Sequence, residues 1–165
     1  MANLIPLFLQ EIGQEAQTTR KMLQLVPEDK YGWKPHEKSM SMIQLATHIA
    51  ELPEWTSMAI ETDGIDFMAQ PYTPTVINNN QELLALLEDS LKKAGDSLNK
   101  SDEGIMDSTW TMRNGDHLIA TLSKADTIRH SLSQTIHHRA QLGVYLRLLD
   151  IPIPGSYGPS ADSPM

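Results

Sequence analysis

The chain has 165 residues, no cysteine, and thirteen Lys and Arg against twenty-one Asp and Glu, for a formal charge of −8. That length suits a single domain over residues 1–165 with a real core, and the lack of thiols excludes disulfides, a cysteine nucleophile and thiolate-bound metal, leaving nitrogen and oxygen donors for any metal centre. The acidic balance, with no Lys/Arg cluster to offset it, removes the electrostatic drive for phosphate-backbone binding, so no nucleic-acid partner is expected.

The opening stretch MANLIPLFLQEIGQEAQ lacks a basic leader, and Gln10 and Glu11 interrupt its apolar run. Neither a signal peptide nor a membrane span is indicated, and a cytoplasmic location is the default expectation. From about Ile5 to Val26, Leu9, Ile12, Ala16, Leu23 and Val26 recur at helical spacing and predict helix one. Pro27–Met40 holds two prolines and a glycine among charged residues, which predicts a long connection with Trp33 covering the end of the core.

Helix two is predicted from Ser41, where Ser41 and Gln44 form a capping-box pattern, to about Glu61. Pro53 lies within it and should bend or interrupt the helix, because proline lacks the amide donor and collides with the carbonyl four residues back. Thr62–Asn79 carries turn residues without a sustained period, whereas Asn80–Leu98 places Leu83, Leu87, Leu91, Ala94 and Leu98 on one stripe and predicts helix three. Asn114-Gly115 within Ser108–Ser123 signals a tight hairpin, with a plain loop nearly as well supported. Helix four is predicted from about Lys124 to Leu149, ended by the prolines and glycines of DIPIPGSYGPSADSPM.

Four amphipathic helices of about 20 residues, each about 30 Å long at 1.5 Å per residue, are best buried against one another. The expected fold is therefore all-α, a four-helix bundle with long second and third connections, any hairpin being an appendage.

At about 100° per residue, His48 falls on the face defined by Leu45, Ile49 and Leu52, so it is expected to point inward. On helix four, His130, Gln134 and His138 form a row spaced by four at the edge of the apolar face. Residues four apart can share one ion, and a third ligand from a facing helix completes the three-ligand arrangement of open metal sites; the plainer alternative is a set of hydrogen-bonded core histidines. His137 is turned about 100° from His138 and is expected at the surface or an interface. Arg139 falls among apolar positions and needs a carboxylate or carbonyl partner, which suggests a structural clamp or an interface contact. His36 and His117 lie in predicted loops and are expected to be exposed.

LATHIAELPEW on helix two, together with TIHHRAQLGVYLRLLDIPIPGSYGPSAD at the end of the chain, resembles the DinB-like family, also grouped with the YfiT-like metal-dependent hydrolases. The resemblance spans most of the chain. It implies a bundle in up-down-down-up order, a homodimer, and a divalent ion such as nickel or zinc held by three histidines. Carried over by position, the ligands fall on His48, Gln134 and His138. The family's motif has histidine where this chain has Gln134, and a carboxamide is a weaker donor than the imidazoles that suit nickel, zinc and iron; the expected ion is therefore weakly bound or lost. His130, about 6 Å further along the axis at 1.5 Å per residue, is the alternative third ligand. Ala140 also replaces the family's glycine, which predicts slightly wider local packing.

The resemblance implies an enzyme acting on a small thiol or another small molecule, a transferase or hydrolase, with the loop tryptophans and the PGSYGPSAD tail shaping the pocket mouth and Glu51 or His130 moving protons. The alternative is a non-catalytic, stress-associated binding or dimerisation bundle with a degenerate metal site.

Overall fold

The structure is a computed structural model and describes residues 3–163. Five α-helices account for most of them: α1 (Leu4–Leu23), α2 (Met42–Glu51), α3 (Glu54–Glu61), α4 (Asn80–Lys100) and α5 (Lys124–Leu148). Three strands, β1 (Gly64–Asp66), β2 (Thr109–Asn114) and β3 (His117–Ser123), form one mixed sheet in the order β1-β2-β3. This corrects the all-α four-helix expectation: the described residues contain five helices and a three-stranded sheet, not a clean bundle.

The fifth helix arises where the sequence marks a break. Ser41 and Gln44 close a reciprocal capping box that starts α2. Twelve residues after Ser41, Pro53 ends the regular ladder, and the chain passes through tighter contacts from the Trp55 amide to the Leu52 carbonyl (3.1 Å) and from Thr56 to Pro53 (3.0 Å). The Ser131 hydroxyl of α5 donates to the Leu52 carbonyl at 2.7 Å, so the break is pinned to the neighbouring helix.

The sheet was only half legible in the sequence. Asn114-Gly115 does turn a hairpin, with Gly115 at φ 60°, and β2 and β3 pair antiparallel around it. β1 lies in the segment read as aperiodic; it joins β2 in parallel, with Ile65 opposite Met112. Three residues are too few to show an alternation, so only tertiary pairing makes them a strand. The Asp66 carboxylate holds the two pieces together by accepting from the amides of Gly115 (2.8 Å) and Met68 (2.9 Å).

Two apolar clusters fill the interior. Leu23, Leu45, Ile49, Leu83, Leu87, Leu142 and Leu146 join α1, α2, α4 and α5 at one end. Phe8, Ile12, Ala59, Leu98, Ile128 and Leu132 join α1, α3, α4 and α5 at the other. Burial of each large side chain contributes roughly 1.5–3 kcal/mol. Trp33 does pack over the first cluster, its ring 5.6 Å from that of Tyr145. Buried Trp110 anchors the sheet, its indole N–H donating to the Thr62 hydroxyl at 3.1 Å. The buried Lys124 ammonium donates to the carbonyls of Ile60 (2.9 Å) and Thr62 (2.7 Å), satisfying the C-terminal end of α3.

Candidate functional site

His48 stands in the last turn of α2, with Leu45 and Ile49 beside it fully buried and its own ring half-buried. His138 stands on α5. The two rings meet edge to face with centroids 4.6 Å apart. They open on a cleft of about 210 Å³ whose other walls include His130, Gln134, Trp55 and Met112. The structure thus brings together His48, Gln134 and His138, and His130 with them.

Burial is the main reason both imidazoles titrate below their ordinary value of 6.5. For His48 the neighbouring His138 lowers it further while Glu51 opposes; for His138 the bond to Gln141 opposes the shift and His137 adds to it. Both rings are therefore neutral at pH 7 and present lone pairs. The Gln141 carboxamide oxygen lies 2.8 Å from His138 Nδ1, which places the proton there and leaves the lone pair on Nε2. The Gln134 carboxamide nitrogen meets His130 Nε2 at 3.3 Å. That contact engages the amide end of Gln134, and its oxygen accepts no hydrogen bond among the described residues.

The donor set fits a divalent ion on two imidazoles and one carboxamide oxygen, the pattern of a weak site. No three His, Asp or Glu side chains gather to hold a metal among the described residues. His130 is occupied with Gln134, so it supports that side chain.

Other expectations resolve differently. His137 is exposed on α5, but its ring lies 4.9 Å from that of His138 and forms the outer edge of the histidine group. His36 and His117 are exposed, away from the cleft. Glu51 cannot readily serve as a proton carrier: Tyr72 Oη donates to one oxygen (2.6 Å), and the Thr75 hydroxyl (2.7 Å) and amide (3.2 Å) donate to the other. Of the three tryptophans, Trp55 alone lines the cleft, and none of the described tail residues does. Ala140 is exposed and sets no helix approach.

Instead the tail closes against Arg139. This guanidinium is 2% exposed. It lies 2.6 Å from Glu15 Oε2, an ion pair out of line for a hydrogen bond, and donates to the Glu15 carbonyl (3.2 Å), the Thr19 hydroxyl (3.1 Å) and Tyr157 Oη (2.9 Å). Tyr157 in turn donates to Glu15 Oε1 at 2.7 Å. Arg139 is the structural clamp that its position among apolar residues suggested.

The residues that sequence reasoning missed include Trp55 and Met112, which line the cleft, and Gln141, which holds His138 from outside it. Gln141 had a local signal, three residues beyond His138 on the same helix face. Met112 had none, because the packing of the sheet on α5 is what carries it there.

A model of the DinB family matches residues 1–164. The chain belongs to the DinB family. A DinB family structure from Exiguobacterium sibiricum is 25% identical, with a TM-score of 0.72 over 94% of this chain and 97% of that one. A DinB-like protein from Bacillus subtilis is 19% identical, with a TM-score of 0.70 over 90% and 96%. The mycothiol-dependent maleylpyruvate isomerase shares the fold at 14% identity and a TM-score of 0.61, this chain covering 60% of its length. No curated protein matches the sequence. Membership accounts for the helical scaffold that carries the cleft and leaves the chemistry of this DinB protein to its own side chains. No helix among the described residues is long and apolar enough to cross a membrane.

Proposed function

We propose that the chain is a metal-dependent enzyme acting on a small molecule in the cleft between α2 and α5, as a thiol-using transferase or a hydrolase. The observation that carries the reading is the contact between His48 and His138, two neutral imidazoles from separate helices whose centroids are 4.6 Å apart. His48, His138 and the Gln134 oxygen would hold the ion, and zinc, nickel or iron suits two imidazoles. Such an ion supplies Lewis acidity, making a hydroxyl or thiol acidic enough to react near neutral pH.

The protein's part is orientation and exclusion of water. Gln141 fixes the His138 tautomer, His130 steadies Gln134, and Trp55 and Leu52 form a dry wall. The likeness to the mycothiol-dependent isomerase supports a low-molecular-weight thiol as co-substrate.

Gln134 favours one other reading, a non-catalytic binding protein with a degenerate metal site. Elemental analysis separates the two. On the enzymatic reading, protein loaded with zinc or nickel holds about one equivalent of the metal and His48→Ala loses it; metal held by the variant, or absent from both, rejects the proposed site. Turnover is then sought with small thiols and electrophiles, and a metallated protein that accelerates none is a binding protein.

A further inference from the structure

Beside the histidine cleft lies a larger cavity of about 590 Å³ that shares His48 and Trp55 with it. Its volume falls in the range of small-ligand pockets, about 300–1,000 Å³. The segment after β1 forms its outer wall, held down where Tyr72 and Thr75 bond Glu51. Three aromatic rings line it: Trp55, Phe67 and Tyr72, the first two with centroids 6.5 Å apart. Among the described residues its only charged side chains are the carboxylates of Glu51 and Glu54, His48 being neutral, and no Lys or Arg lines it or the histidine cleft.

That combination selects by charge. Aromatic faces carry negative potential and attract cations held within about 6 Å, and two carboxylates reinforce the same sign. Lys93 neutralises part of this field, but it binds Glu54 through Oε1 alone and also pairs with Asp89, both at 2.9 Å. Lys93 thus divides its charge between Glu54 and Asp89, while Glu51 has no cationic partner among the described residues, only the neutral donors Tyr72 and Thr75. An anionic group entering the cavity would be desolvated with no cation to offset the loss of its hydration.

We propose that this cavity binds an organic cation, an amine or quaternary ammonium on an apolar or aromatic body, as the substrate presented to the histidine cleft. The inference rests on the enzymatic reading only in calling the ligand a substrate; the selectivity belongs to the cavity and needs no metal.

The test uses full-length protein stripped with EDTA and confirmed metal-free, titrated calorimetrically with three probes of similar size: phenethylammonium, the uncharged phenethyl alcohol, and the anionic hydrocinnamate. The ammonium is expected to bind at least tenfold tighter than the alcohol, with the carboxylate weakest. Trp55→Leu and Glu54→Gln should each weaken the ammonium at least threefold with circular dichroism and melting unchanged; Phe67→Leu replaces either variant that melts early. No measurable ammonium binding, an advantage below tenfold, a carboxylate that binds equally well, or indifference to these substitutions overturns the assignment. Because the protein is metal-free, failure here leaves the ion on His48 and His138 to be judged by elemental analysis alone.

Discussion

At the level of single residues, the composition of the site is dominated by one side chain, Gln134. It occupies the row between His130 and His138 and lines the same cleft as His48, yet offers a neutral oxygen where an imidazole would bind zinc or nickel more strongly. Gln134→His should therefore raise zinc or nickel affinity at least tenfold, measured by competition with a chromophoric chelator. An unchanged affinity would show that position 134 does not reach the ion. The neutral state of the two histidines follows from burial, which disfavours the charged ring. Their position on helix faces was legible from spacing; the use of Glu51 as a latch was not, because its partners Tyr72 and Thr75 come from a segment 21 and 24 residues away.

At the level of elements, α2 is positioned by its cap and by its break. Ser41 accepts from the Gln44 amide and the Gln44 side chain accepts from the Ser41 amide. Ser41→Ala should cost about 1 kcal/mol, read as a lower urea midpoint at constant m-value. The link between β1 and the hairpin makes a different prediction. Backbone amides of Gly115 and Met68 hold the Asp66 carboxyl below its ordinary value of 3.8. A carboxyl more acidic in the folded state contributes stability that is complete above its unfolded value and is lost as pH falls through the folded one. The melting difference between wild type and Asp66→Asn should hold steady from neutral pH down to about 5 and shrink below 4; a difference that grows on acidification would contradict this bonding.

At the level of the whole molecule, the Arg139 clamp ties α5 to α1 and to the C-terminal segment through Glu15, Thr19 and Tyr157. Removing one partner leaves the other charge buried, so Arg139→Met should destabilise the fold by about 3–5 kcal/mol, measured by equilibrium unfolding. Adding Glu15→Leu should recover part of that loss, since the orphaned carboxylate disappears with it. The clamp and the histidine cleft use neighbouring residues of α5, Arg139 and His138, turned to different sides of the helix. One helix thereby fastens the tail with one side chain and builds the candidate site with the next.

Local order determined much of this protein in advance. Periodicity located the helical stretches, the Ser41–Gln44 pattern started α2, Pro53 marked its interruption, and Asn114-Gly115 marked the hairpin turn, because each is a matter of near-neighbour sterics and hydrogen bonding. Tertiary structure alone decided that β1 is a strand, that Met112 and Trp55 wall the histidines, that Glu51 is occupied, and that the tail closes on Arg139. Those outcomes depend on partners far apart in the chain, and three residues or one side chain carry no periodic trace of a neighbour they meet only after folding.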